Sequence, residues 1–226
     1  MIKYYGTPLT PLSIFNEALN GRNTLIPFPR PESLKLALKI CSKIIIDNGA
    51  FTLWRKGGTI DWNDFYIWLE PIKKDIEFYF IPDVIDGTEL ENDKLIEDYK
   101  QRKENKGVPI WHINESFERL KRLMKDFNYI AIGSAGEFRD LGTPKWHKRM
   151  NEAMEVLCEP DGTPKVKIHM LRCLNYKIFT MYPFYSGDST SLAQNHKRDT
   201  WQKIVNKVES FNSPKRYREL GGLFAS

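Results

Sequence analysis

The sequence predicts an α/β protein, a compact (β/α)8 TIM-type barrel, and three observations lead there. Short apolar runs alternate with amphipathic stretches along the whole chain, the pattern of βα units around a parallel sheet. The runs number eight, and a chain of 226 residues without an internal repeat suits one barrel domain. The residues that come after the runs are polar in the way a barrel's C-terminal rim is polar.

Taken in order, the first strands are residues 2–6 (IKYYG), 24–28 (TLIPF) and 43–47 (KIIID). Three consecutive isoleucines, Ile44, Ile45 and Ile46, mark the third as buried on both faces. Residues 77–83 (EFYFIPD), 108–112 (VPIWH), 129–133 (YIAIG), 165–170 (KVKIHM) and 177–186 (KIFTMYPFYS) complete the set. A helix over SLKLALKICS precedes the third strand, and DWNDFYIWLEPI comes after it with Asp61 as N-cap. ELENDKLIEDYKQRKEN reads as a polar surface helix, with Asp86 as its cap. In ESFERLKRLMKDF, Phe117, Leu120, Leu123, Met124 and Phe127 form one helical stripe. TPKWHKRMNEAMEVLCE opens with Thr143 as cap and Pro144 in the first turn. Residues 1–211 are therefore expected to form a single barrel domain, and 212–226 a basic C-terminal tail carrying Lys215, Arg216 and Arg218.

Composition excludes several classes. Thirteen Phe, ten Tyr and six Trp are too many for a disordered chain. No apolar run approaches the roughly 20 residues of a membrane span. The start, MIKYYGTPLTP, has no signal-peptide core, and a cytoplasmic protein is expected. Three cysteines, Cys41, Cys158 and Cys173, make no disulfide framework and read as buried small hydrophobes. His169 and Cys173 are four apart without a CxxC pair, so no metal site is expected. A net charge of +5 permits a polyanionic partner without demanding one.

The strand ends carry the chemistry. Asp47 closes the third strand and Asp83 the fourth; His112, with Asn114 nearby, closes the fifth. Gly133, Ser134, Ala135, Gly136 and Glu137 come after the sixth, His169 to Arg172 the seventh, and Gly187, Asp188 and Ser189 the eighth. On local sequence alone each has a plain reading: Asp47 as a turn cap, Asp188 as an Asx-turn, His112 as a core histidine, Glu137 as a helix-start residue. Convergence on one rim favours a site.

Five motifs in order carry a resemblance. DNGAF (residues 47–51) resembles the DSGGF/DSGAF turn of the tRNA-guanine transglycosylase superfamily, YIAIGSAGEF (129–138) its IAIGGLAVGE segment, and FTMYPFYSGDSTS (179–191) its eighth-strand region. FIPDVIDG (80–87) and VPIWHINE (108–115) are most similar to the phage and bacterial branch, the DpdA-type 7-deazaguanine DNA transglycosylases. The likeness covers roughly residues 40 to 191. The tRNA enzymes' Cys-x-Cys-x-x-Cys zinc motif has no counterpart, since no cysteine comes after Cys173 and only His196 comes after Asp188 among the histidines. The resemblance thus implies a barrel without the zinc subdomain, no zinc, and a DNA rather than a tRNA substrate.

It also implies roles. Asp188 is the nucleophile at C1′ of a deoxyguanosine, with Gly187 permitting a tight turn, and Asp47 moves protons, helping guanine leave and deprotonating the incoming 7-deazaguanine base; this is the two-carboxylate logic of a retaining glycosidase. Asp83 faces the base's N1–H and 2-amino group, His112 contacts the base, and backbone N–H groups around Ser134, Ala135 and Gly136, beside Gly133, serve its O6. One of Phe51, Trp111 or Tyr185 stacks on the base, and Gly49 admits it close to the backbone. His169 supports the site or is structural.

A base inside a duplex must be flipped out or already single-stranded to enter such a pocket. Arg55, Lys56, Arg139, Arg172, Lys197 and Arg198 lie just beyond the strand ends and are the expected phosphate contacts. The expected function is base exchange replacing guanine in DNA with a 7-deazaguanine derivative through a covalent Asp–deoxyribose intermediate. The co-substrate is the free base and no cofactor is needed. The rival readings are a tRNA-directed exchanger and a non-catalytic nucleic-acid-binding subunit.

Overall fold

The computed structural model describes residues 1–58 and 61–218. Nine strands run parallel in one sheet: β1 (Ile2–Gly6), β2 (Thr24–Pro27), β3 (Ile44–Asp47), β4 (Phe78–Phe80), β5 (Gly107–Val108), β6 (Ile110–His112), β7 (Tyr129–Gly133), β8 (Lys167–Met170) and β9 (Ser186–Ser189). Their order is β5-β4-β3-β2-β1-β9-β8-β7-β6, and every pairing is parallel. The two edge strands, β5 and β6, are separated in the chain by Pro109 alone, so the sheet is a nearly closed barrel consistent with a TIM-like fold. Proline has no N–H to give a ladder, which is why pairing switches there. The carbonyl of Val108 accepts from Ile81 on one side (3.0 Å), and that of Pro109 accepts from Ala131 on the other (2.9 Å).

Helices fill the connections: α1 (Leu12–Leu19), α2 (Leu34–Ile40), α3 (Ala50–Lys56), α4 (Trp62–Leu69), α5 (Glu89–Gln101), α6 (Phe117–Asp126), α7 (Pro144–Leu157), α8 (Tyr176–Phe179), α9 (Ser191–Asn195) and α10 (Trp201–Glu209). Asp61 caps α4 by accepting from Asn63 N–H (2.8 Å), and Thr143 caps α7 by accepting from Trp146 N–H (3.2 Å). Asp86 does not cap α5. Thr88 does, in a capping box with Glu91, while Asp86 accepts from Trp54 Nε1 (2.6 Å). Among the described residues no helix is long and apolar enough to cross a membrane.

Strand alternation creates two cores. Tyr4, Leu25, Ile45, Phe78, Phe80, Val108, Ile110 and Ala131 fill the barrel. Ile26, Ile44, Ile46, Ile81, Trp111, Ile132 and Met170 face outward and meet helix residues such as Phe65, Leu120, Met150 and Met154. The isoleucine run of β3 is thus buried on both faces, and the same period of two aims Asp47 inward with Ile45.

The eighth strand differs from expectation. Of the expected residues 177–186 only Ser186 is in a strand: Asn175 caps α8 by accepting from Lys177 N–H (2.9 Å), and Pro183 interrupts the segment between α8 and β9. Their apolar side chains, Ile178, Phe179, Tyr182 and Phe184, belong to the outer core. The last strand is the polar SGDS of β9, between β1 and β8. Gly187 is not in a turn. A Cβ there would lie 2.3 Å from Phe179 Cζ and 3.0 Å from the Cys173 carbonyl, so the glycine lets Phe179 pack against bare backbone.

The start of the expected tail is packed. Tyr217 stacks on Tyr182 (centroids 6.2 Å apart) and donates its N–H to Gly162 O (2.8 Å), while Arg216 pairs with Asp161 (3.3 Å) in the α7–β8 connection. That connection leads into the N-terminal end of β8, away from the rim. Residues 219–226 of the expected tail lie outside the described residues.

Candidate active site

The C-terminal ends of the strands bring Asp47, Asp83, Asp188, His112 and Arg172 together. Asp47 ends β3, where the chain turns through Asn48 and Gly49 into α3. Its carboxyl accepts from Gly49 N–H, the turn-capping role its local sequence suggests. It is nevertheless crowded by the other carboxylates at the strand ends. Burial first, then the charges of Asp188 and Asp83, push its pKa up to about 7; the Gly49 bond and Arg172 pull the other way. Gly49 is left-handed (φ 86°), and a Cβ on it would lie 2.3 Å from the Pro29 ring. The close neighbour that requires glycine here is therefore Pro29, in place of an incoming base.

Asn48, not anticipated from sequence, ties three elements together. Its Nδ2 donates to Ile81 O (2.9 Å) and to Asp83 Oδ1 (2.7 Å), and its Oδ1 accepts from Ala50 N–H (2.9 Å) at the start of α3. Asp83 is 5% exposed, and its second oxygen meets His112 Nε2 at 2.9 Å. Both oxygens expected to face a base thus already have partners, and each keeps one lone pair for a further donor. Burial opposes a charge on His112, but hydrogen bonds to Asp83 and Glu115 outweigh it and raise its pKa to about 9. Glu115 accepts from His112 N–H (2.8 Å), Asn92 Nδ2 (3.1 Å) and Arg119 NH1 (2.6 Å). Arg119, 1% exposed, also donates to Ile110 O (3.0 Å) and Asp93 (2.8 Å). His112 is therefore a buried, charged member of the site wall.

Asp188 points inward from β9 and is 3% exposed. Its Oδ1 accepts from Arg172 N–H (3.0 Å) and faces His169 Nε2 (3.0 Å). Arg172 has φ 55°, a left-handed conformation that a side chain disfavours. That turn aims its N–H at Asp188 and lays its guanidinium 3.5 Å from the Phe51 ring centroid. Burial works against the Arg172 charge, and Asp188 and Asp47 support it. Phe51 thus stacks on a cation at the rim. The alternatives for stacking on a base do not reach the site: Trp111 is buried outside the barrel against Phe117, and Tyr185 lies at the opposite mouth beside Tyr129 and Lys167.

The Gly133–Gly136 segment closes the wall. A Cβ on Gly133 would lie 2.9 Å from the His112 ring, and Gly136 is left-handed (φ 55°). Ser134 Oγ accepts from Trp146 Nε1 (2.9 Å), anchoring the loop to α7. Glu137 instead pairs with Lys145 on the surface. Arg55, Lys56, Arg139, Lys197 and Arg198 are exposed, and none is ion-paired with a described carboxylate, nor is Arg172. Among the described residues no cluster of three or more His, Cys, Asp or Glu is arranged to hold a metal. Cys158 and Cys173 are buried as expected, whereas Cys41 is half-buried; loss of solvent pushes the Cys41 and Cys158 thiols up to about 11 and that of Cys173 to about 12.

Asp47 predicts a pH dependence of stability. A carboxyl whose pKa rises from the ordinary 3.8 to about 7 keeps its proton in the fold while the unfolded chain has lost it. Its contribution is fully present below pH ~4 and is lost as pH rises to about 7. Asp47→Asn, a neutral isostere, should stabilise the protein by roughly 1–3 kcal/mol at pH 8 and hardly at all at pH 4. Urea unfolding at the two pH values reads this. Equal effects at both would show that Asp47 titrates like an exposed residue.

No protein-family model matches the chain, and no curated protein or solved structure matches it either.

Proposed function

We propose that the protein is a DNA base-exchange enzyme similar to the 7-deazaguanine transglycosylases, replacing guanine in DNA with a 7-deazaguanine base. The observation that carries this reading is the contrast between two neighbouring aspartates. Asp188 is held by N–H donors on one oxygen, whereas Asp47 has a pKa near 7. A nucleophile beside a proton carrier poised at working pH is the pairing that a two-step glycosyl transfer requires. In the first step Asp188 bonds to C1′ as the C1′–N9 bond breaks, and the electron pair leaves with guanine, which takes a proton from Asp47. In the second, Asp47 removes the N9 proton of the incoming base, N9 bonds to C1′, and Asp188 departs as carboxylate. Atoms and charge balance without ATP or a redox cofactor.

Asp83, oriented by charged His112, supplies the acceptor that a guanine edge needs, and the six basic residues flanking the rim suit a phosphate chain. In this reading β5 and β6 are one strand bent at Pro109, which makes eight. The barrel then lacks the zinc subdomain of the tRNA enzymes, and the protein works in the cytoplasm of a phage's host. The test is exchange of labelled guanine from DNA and from tRNA with purified protein, followed by nucleoside mass spectrometry with a 7-deazaguanine base. Incorporation into DNA, weakening steeply with salt, is expected. Incorporation into tRNA alone would replace the DNA reading, and binding without exchange on either would leave a nucleic-acid-binding subunit.

A further inference from the structure

We infer that His169 is the positioning residue of the site: it selects which Asp188 oxygen attacks, and Ser186 and Tyr129 lock its tautomer from the far end of the barrel. The attacking role of Asp188 rests on the base-exchange reading; the hydrogen-bond chain does not.

His169 is fully buried inside the barrel, among the rings of Phe80 (5.1 Å), Phe78 (5.9 Å) and Tyr4 (6.2 Å). Aromatic walls leave its nitrogens two partners, Ser186 Oγ at 2.5 Å from Nδ1 and Asp188 Oδ1 at 3.0 Å from Nε2. Tyr129 OH lies 2.5 Å from the same Ser186 Oγ. A carboxylate only accepts, so Nε2 carries the hydrogen. In the neutral imidazole Nδ1 is then bare and accepts from the Ser186 hydroxyl, which accepts from Tyr129. Burial holds the Tyr129 phenol well above its ordinary range, which keeps it the terminal donor.

Tyr129 lines a cavity of about 230 Å³ at the N-terminal mouth, with Glu77, Asn105, Lys167 and Tyr185. The chain Tyr129–Ser186–His169–Asp188 therefore crosses the barrel from that mouth to the candidate active site. His169 and the Arg172 N–H both address Oδ1 and neither addresses Oδ2, so Oδ2 is the oxygen left to meet C1′. Asp47 and Arg172 are the charged groups nearest that end; Tyr4 and Tyr129 are the titratable ones along the walls.

The experiment uses the near-isosteric Ser186→Ala and Tyr129→Phe, with imidazole 15N spectra of the full chain and exchange kinetics. The wild-type His169 should show the Nε2–H tautomer. Ser186→Ala should move its Nδ1 resonance, and Tyr129→Phe should move it less, in the same direction. The kcat for base exchange should fall about tenfold in Ser186→Ala with KM for DNA unchanged, the scale of one hydrogen bond. An unmoved spectrum overturns the chain. A moved spectrum with unchanged kcat overturns the positioning role. If wild-type protein exchanges no base while the spectra move as expected, the base-exchange reading fails, the attack assignment goes with it, and the chain stands.

Discussion

On the base-exchange function proposed above, replacing Asp188 with alanine should abolish exchange, by at least ~1,000-fold, because no other carboxylate on the rim is held to attack. Asp47 is committed to its turn and titrates near neutrality, and Asp83 is engaged by Asn48 and His112. Alanine also leaves the His169 and Arg172 N–H groups without their acceptor, at a cost of about 1–3 kcal/mol. Asp188→Asn therefore accompanies it, since an amide oxygen preserves the acceptor while removing the nucleophile. Both variants should remain folded, bind DNA and show no covalent protein–DNA adduct on denaturing gels with a 7-deazaguanine base. Wild-type protein should show one. Full exchange activity in either variant would remove Asp188 from the mechanism.

The largest effect on stability is expected from Arg119→Ala. Arg119 is buried on α6, where it holds Glu115, itself 4% exposed, together with Asp93 and the Ile110 carbonyl. Removing one partner of a buried ion pair strands the other charge, so a loss of about 3–5 kcal/mol is expected in urea unfolding. The double variant Glu115→Gln with Arg119→Met removes both charges and should cost less than Arg119→Ala alone. A loss below ~1 kcal/mol for Arg119→Ala would show that the network is dispensable. The site should feel the change too, because Glu115 is one of the two carboxylates that keep His112 charged.

Much of the barrel is legible in local pattern. The run Ile44–Ile46 declares a strand buried on both faces, and its period of two places Asp47 inside the barrel. Thr143 with Pro144 announces a helix start, and the α6 stripe is plain. The features that escape local pattern depend on contacts between distant segments. Ser186–Ser189 has no strand-like composition: its inward residues are polar site members and its outward glycine yields to Phe179. The apolar stretch before it invites a strand assignment because outer-core residues can serve a helix or a coil as well as a strand. Asn48 stands in the sequence as an ordinary turn residue, and only the fold brings Ile81 and Asp83 to its amide. The left-handed backbone of Arg172 leaves no trace in residue type at all.

The proline between β5 and β6 has a consequence for how the molecule holds its shape. Beyond Val108 the ladder joining the fifth strand to β4 stops, and β6 is paired only with β7. Asp83 comes after β4 on one side of that gap and His112 ends β6 on the other. Their 2.9 Å ion pair is thus a clasp across a seam, taking the place of missing backbone rungs. Each Asp83 oxygen keeps a lone pair beside its partner, so a donor arriving in the site can join the clasp without parting it, and the seam stays shut while the site is filled.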